Sequence, residues 1–141
     1  MITVSLCMIV KNEERTLRRC LDSVRGLMDE IIIADTGSTD RTVEIARDCG
    51  AAVCTFPWCD DFAAARNFAF SKATMQYCMW LDADDVLEPA DREAFRKLKE
   101  TLDPDTDVVM LRYHTGFDES GKPTFSYWRE RLLRRAAGFR W

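Results

Sequence analysis

The sequence predicts an α/β protein: a mostly parallel central sheet flanked by helices. Three observations carry that reading. Apolar runs rich in β-branched residues alternate with stretches of helical periodicity along the 141 residues. The apolar runs are close to continuous, as expected of strands covered on both faces. Polar or acidic segments, "VKNE", "ADTGSTD" and "LDADD", close the first, second and fourth runs, where a parallel sheet presents its ligands.

The elements follow in order. "ITVSLCMIV" (2–10) is a strand, and 13–25 is a helix with Leu17, Cys20, Leu21 and Val24 on one face and Arg15, Arg18, Arg19 and Asp22 on the other. "EIIIAD" (30–35) is the second strand. A helix capped by Thr39 or Asp40 then runs to about Cys49, with Gly50 as its stop. "AAVCTF" (51–56) is the third strand, 61–74 a helix and 77–81 the fourth strand. Pro89 opens a helix over about 90–101. "DVVMLRYH" (107–114) is the fifth strand, turned by "DESGK" (118–122) into a pairing segment, 124–135. An unfinished sheet edge is expected at that last segment, with a tendency to pair between chains.

Composition narrows the class. With 47% hydrophobic and 31% charged residues the chain reads as one globular domain, residues 1–141, rather than a disordered segment. A net charge of −4 argues against nucleic acid as a partner. No apolar run approaches the ~20 residues that cross a bilayer. Strand-like sequence from Ile2 leaves no room for a signal peptide, so a cytoplasmic location is expected, with peripheral attachment at the inner membrane face as an extension of it. The six cysteines contain no CxxC pair and the single histidine, His114, lies far from them, which speaks against structural zinc.

The strand ends carry the chemistry. Asp82 and Asp84 are two apart, so in an extended chain both side chains share a face and suit a hard cation such as Mg2+ or Mn2+ with its phosphates. A solvated acidic turn with Asp85 as a capping residue is the alternative. Asp35 can accept from a base N–H or a ribose hydroxyl, with Gly37 allowing a tight turn beside the ligand. In "FAAARNFAF" the three alanines let a helix pack closely, bringing Arg66 and Asn67 toward the strand ends. The basic and aromatic "YWRERLLRRAAGFRW" fits a diphosphate, a sugar ring, single-stranded nucleic acid or a plain surface hairpin.

In order and spacing, "SLCMIVKNE", "EIIIADTGSTDRT", "AAARNFAF" and "YCMWLDADD" resemble the family 2 glycosyltransferases, enzymes of the Rossmann-like GT-A fold that use nucleotide-diphospho-sugars. "MIVKNEE" with "DTGSTD" is most similar to the bacterial lipopolysaccharide-core glucosyltransferase-like members. The resemblance covers 2–88 strongly and the remainder weakly. It implies that Val10, Asn12, Glu13 and Asp35 hold the nucleobase, that Arg66 and Asn67 line the nucleotide pocket, that Asp82 faces the ribose and that Asp84 binds a divalent cation, Mn2+ or Mg2+. It further implies an inverting transfer, with a UDP-sugar as the favoured donor and a glycan, lipid-linked or protein acceptor.

The pattern is not followed throughout. Thr36 stands where many relatives have a second aspartate, Ala69 replaces the glycine of "N-x-G", and Met75 replaces the glycine before the fourth strand. In similar proteins the arginine-rich strand leads to a segment that supplies the catalytic base. A C-terminally truncated domain is therefore expected, with a nucleotide-sugar half at about 1–88, an incomplete acceptor half at about 89–141 and the base beyond Trp141. Two rivals remain: a non-catalytic nucleotide-sugar-binding module, and a nucleotidyltransferase, which the glycine-free "VKNEERTL" disfavours.

Overall fold

The computed structural model describes residues 1–141. The first apolar run forms β1 (Val4–Val10), whose alternation sends Val4, Leu6, Met8 and Val10 to one face and Ser5 and Cys7 to the other, all buried. After it come α1 (Leu17–Ser23), β2 (Glu30–Asp35), α2 (Thr42–Asp48), β3 (Ala52–Thr55), α3 (Phe62–Ser71), β4 (Tyr77–Trp80), α4 (Pro89–Thr101), β5 (Val108–Phe117) and β6 (Pro123–Arg134), closed by a 3-10 turn at Arg135–Ala137.

One sheet runs in the order β3-β2-β1-β4-β6-β5. Its first four strands are parallel, and β6 then enters antiparallel to both β4 and β5. Helices cover both faces. Leu17 and Leu21 of α1, Ile45 of α2 and Phe95 of α4 pack with Leu6, Met8, Ile33 and Met79 on one side. On the other side α3 sets Ala69 against Cys7, Ile32, Ala34 and Cys78. Burying small residues there lets α3 approach the sheet closely, as the alanine run suggests.

Several boundaries differ for identifiable reasons. The first helix begins at Leu17 rather than near Glu13, because the preceding residues close as a turn, Thr16 amide to Glu13 O at 3.2 Å, while the Glu13 amide donates to Thr42 Oγ1 at 2.8 Å and the Glu14 amide to Asp40 Oδ2 at 3.3 Å. The last two bonds tie the segment to the loop after β2. Neither capping candidate holds the N-cap of α2, which is Arg41: Asp40, one residue earlier, accepts from the Thr42 amide at 2.9 Å, and Thr39 is bonded to Asn12. The edge expected at 124–135 is revised only at its end, since residues 123–130 pair with β5 alone and keep an open side. Leu132, Leu133 and Arg134 sit inside the sheet between β4 and β5, and β5 is the outermost strand on that side.

Lys99 locks the base of the sheet. Its ammonium donates to Leu27 O at 2.7 Å and to Asp29 Oδ2 at 2.8 Å, and the same carboxylate oxygen accepts from the Val4 amide at 2.9 Å. One ion pair thereby joins α4, the approach to β2 and the start of β1.

Candidate functional site

The parallel register pairs Val10 with Asp35, so β1 and β2 end level with one another. A cleft of about 390 Å3 opens at these carboxyl ends, lined by Val10, Lys11, Glu13, Thr36, Arg66, Asp82 and Asp84, with Trp58 and Phe62 on its α3 side. The fold thus gathers five of the eight residues singled out above: Val10, Glu13, Arg66, Asp82 and Asp84.

The acidic residues meet in a turn, not along an extended chain. The Asp85 amide donates to Asp82 O at 2.9 Å, and the Asp82 amide donates back to Asp85 Oδ2 at 2.8 Å. This closure brings carboxylate oxygens of Asp82, Asp84 and Asp85 within 4.8 Å of one another. The alternative in which Asp85 caps the next helix is not met, the N-cap being Glu88: Asp85 turns inward and pairs with Arg131 at 3.1 Å, both side chains sealed from water. Burial pushes the Asp85 carboxyl up, the Asp82 amide and Arg131 pull it down, and the charges of Asp82 and Asp84 push again, leaving it above the usual carboxylate range. With Asp85 committed, the exposed carboxylates of Asp82 and Asp84 are the ones that face the cleft. Two hard oxygen donors on a short turn fit a divalent cation of the Mg2+ or Mn2+ kind. Beneath the turn, the Cys20 thiol contacts Asp82 O at 3.5 Å and is pushed up to about 12 by burial and by the three carboxylates.

Asp35 lies behind the cleft and is only 6% exposed. Its Oδ2 accepts from the Gly37 amide at 3.3 Å and the Ser38 amide at 3.1 Å, with Gly37 at φ +118° making that turn accessible. Its Oδ1 is buried and has no partner. A carboxylate oxygen withheld from water with no donor costs about 1–3 kcal/mol or more, a cost that an N–H or O–H placed there would relieve. Asn12 does not line the cleft. Held at φ +53°, it accepts from the Thr39 amide at 2.8 Å while its own amide donates to Ser38 Oγ at 2.9 Å, stapling the loops after β1 and β2 together.

Trp80, the buried last residue of β4, lies outside the cleft and backs Arg66. The guanidinium carbons of Arg131, Arg66 and Arg129 stand 3.9, 4.1 and 4.9 Å from its ring centroid, and its indole N–H donates to Glu130 O at 2.6 Å. Arg66 also lies 4.8 Å from the Trp141 ring. Burial lowers the pKa of Arg66 and Asp82 raises it, while Arg129 and Arg131 lower it further. Asn67, next along α3, faces away from the cleft: its side chain exchanges hydrogen bonds with the Trp141 backbone at 2.9 and 3.2 Å. Trp58 and Phe62 escaped the sequence reading. They pack edge-to-face at 4.7 Å with Phe62 70% exposed, and Phe62 stands one helical turn before Arg66. That spacing was the available signal.

The family described as "Glycosyl transferase family 2" matches residues 5–140. The chain belongs to glycosyl transferase family 2. A TPR repeat-containing protein of Synechococcus elongatus is 48% identical over 103 residues, which are 73% of this chain and 25% of that protein. The SPbeta prophage-derived glycosyltransferase SunS of Bacillus subtilis is 32% identical over 109 residues, 72% of this chain and 24% of that one. Solved structures share the fold. Staphylococcus aureus TarS (1–349) aligns with a TM-score of 0.57 at 21% identity, over 68% of this chain and 31% of that chain. Glucosyl-3-phosphoglycerate synthase of Mycobacterium tuberculosis, solved with Mn2+ and UDP-glucose, aligns with a TM-score of 0.54 at 27% identity, over 60% and 34%. This family 2 chain spans about a quarter of the length of the two curated relatives, and its architecture is the GT-A, Rossmann-like one.

Proposed function

We propose that this chain forms the donor site of an inverting glycosyltransferase that moves a sugar from a nucleotide-diphospho-sugar to a hydroxyl-bearing acceptor. One observation carries the reading: the exposed carboxylates of Asp82 and Asp84 share a cleft with the guanidinium of Arg66 at the ends of the parallel strands. In this reading the orphan Oδ1 of Asp35 takes an N–H of the base, with Val10 and Glu13 beside it and Asn12 holding the loop that frames it. Asp82 accepts from the ribose, and Arg66 offsets diphosphate charge. Asn67 acts at one remove, by fixing Trp141 behind Arg66. A divalent cation, Mn2+ or Mg2+, held by Asp84 beside Asp82, would supply Lewis-acid stabilisation of the departing nucleoside diphosphate. The acceptor oxygen bonds to the anomeric carbon as the bond to the diphosphate breaks on the opposite face, and its proton passes to a carboxylate on the acceptor side.

A UDP-sugar is the favoured donor, supported by the 27% identical synthase solved with UDP-glucose. A glycan, lipid-linked or protein acceptor fits the reading, and the motifs "MIVKNEE" and "DTGSTD" favour lipopolysaccharide core among glycans. Action in the cytoplasm, at the inner membrane face for a lipid-linked acceptor, belongs to the same reading. No helix is long and apolar enough to cross a membrane.

Calorimetric titration of UDP, GDP and dTDP, with and without Mn2+, tests the proposal on the wild type and on Asp84→Ala. Manganese-dependent binding of one nucleotide, lost in the variant, is the expected result. Binding indifferent to both metal and variant removes Asp84 from its role, and absence of binding to the folded chain removes the donor site.

A further inference from the structure

The ribbon formed by β5 and β6 outruns the sheet that roots it. β6 pairs with β4 only through Leu132, Leu133 and Arg134, whereas residues 123–130 have β5 as their sole partner. At about 3.3 Å per residue, those positions carry the ribbon roughly 26 Å past the end of β4. β4 runs into the acidic turn, so the ribbon rises beside the mouth of the cleft.

Its two faces are chemically unlike. On one, Tyr127 packs against Tyr113 at 5.3 Å and Phe125 at 5.5 Å. Arg129 spans from Tyr127, at 5.8 Å, to Trp80, at 4.9 Å, and Arg131 spans from Tyr113, at 5.2 Å, to Trp80, at 3.9 Å. An unbroken series of rings and guanidiniums therefore leads from Phe125 to Trp80, two residues before Asp82. On the opposite face Trp128 stands across from Arg112, and no ring contact connects it to the cleft.

We propose that the Phe125–Tyr127–Tyr113 face is the acceptor platform and that its occupant is a pyranose ring of a carbohydrate. A pyranose offers a face of C–H groups to the electron-rich face of an aromatic ring, and a rim of hydroxyls to guanidinium donors. The ribbon presents both, in continuity with the donor cleft. Exposed Asp82 and Asp84 at the foot of the ribbon, with a net charge of −4 over the chain, disfavour a phosphate-backboned polymer in the same place. That the bound sugar is an acceptor rests on the transferase reading; that a sugar binds there does not.

The test is saturation-transfer NMR on the whole chain with maltohexaose, cellohexaose and an oligothymidylate as probes, beside a UDP titration with Mn2+. Aromatic irradiation is expected to reach the ring C–H protons of at least one hexaose. Phe125→Ser, at a residue 60% exposed, is expected to weaken that binding roughly fivefold. Trp128→Ser, equally exposed on the other face, leaves it unchanged. Sugar contact that survives Phe125→Ser, that falls equally in Trp128→Ser, or that is absent for both hexaoses overturns the platform, as does transfer to the oligothymidylate in their place. Sugar binding without UDP binding overturns the donor reading and leaves the platform standing. UDP binding without sugar binding overturns the platform alone.

Discussion

Arg131 and Asp85 pair at 3.1 Å across 46 positions of sequence, each with its side chain all but closed to water. Arg131 also donates to Trp80 O at 3.2 Å, and Asp85 accepts from the Asp82 amide at 2.8 Å. The pair thus bolts the ribbon strand β6 to the turn that presents Asp82 and Asp84. Breaking a buried pair by removing one partner strands the other charge. Arg131→Met should cost about 3 kcal/mol in urea unfolding. Adding Asp85→Asn to that variant should recover part of the loss, because the stranded charge goes too.

The two carboxylate oxygens of Asp35 are engaged differently. Its Oδ1 has no partner in the protein, while its Oδ2 holds the amides of Gly37 and Ser38. Asp35→Ala should weaken UDP binding by roughly tenfold or more, the worth of a hydrogen bond to a charged acceptor. Hydrogen exchange at Gly37 and Ser38 should quicken in the same variant. Unchanged nucleotide affinity would remove Asp35 from the base-binding role.

The Lys99–Asp29 pair gives stability a predictable pH dependence. Burial pushes the Asp29 carboxyl up, but hydrogen bonds from Lys99 and the Val4 amide, with the Lys99 charge, bring it below its usual value. A depressed carboxylate contributes stability above its unfolded value, about 3.9, and loses it as pH falls toward the folded one. Lys99→Met should cost roughly 2 kcal/mol at pH 7, a figure reduced because Asp29 is 35% exposed. Denaturation at pH 7 and at pH 3 should show the gap between wild type and variant narrowing in acid.

Thiol chemistry reports on both faces of the sheet. Cys59 is exposed, whereas Cys7, Cys20 and Cys78 are buried, and burial with nearby carboxylates pushes the Cys20 thiol up to about 12. Brief iodoacetamide treatment at pH 8 should label Cys59 first. Cys7, Cys20 and Cys78 should react only in denaturant, as peptide mass mapping would show.

The strand–helix alternation was legible because each element states its own period, and a parallel sheet sends the carboxyl ends of β1, β2 and β4 to one edge. Val10, Glu13, Arg66, Asp82 and Asp84 came together for that reason. What a local pattern cannot encode is pairing between distant segments. The insertion of β6 between β4 and β5 depends on Leu132 meeting both Met79 and Val109, and the inward turn of Asp85 depends on Arg131. Asn12 and Asn67 sit beside cleft residues in sequence, yet their amide groups found backbone partners at Thr39 and Trp141. Trp58 and Phe62 read as ordinary apolar residues until α3 set them over the cleft.

The way the ribbon is rooted has a consequence for how such a protein can diverge. In the sheet ladder only Leu132, Leu133 and Arg134 of β6 pair with β4, so the rungs of the hairpin beyond Glu130 answer to one another and to no parallel strand. Residues such as Phe125 can be exchanged, or the hairpin lengthened, while the pairing of Val10 with Asp35 stays as it is. Inheritance can therefore hold the end framed by Val10 and Asp35 constant and let the outer ribbon drift, one rung at a time.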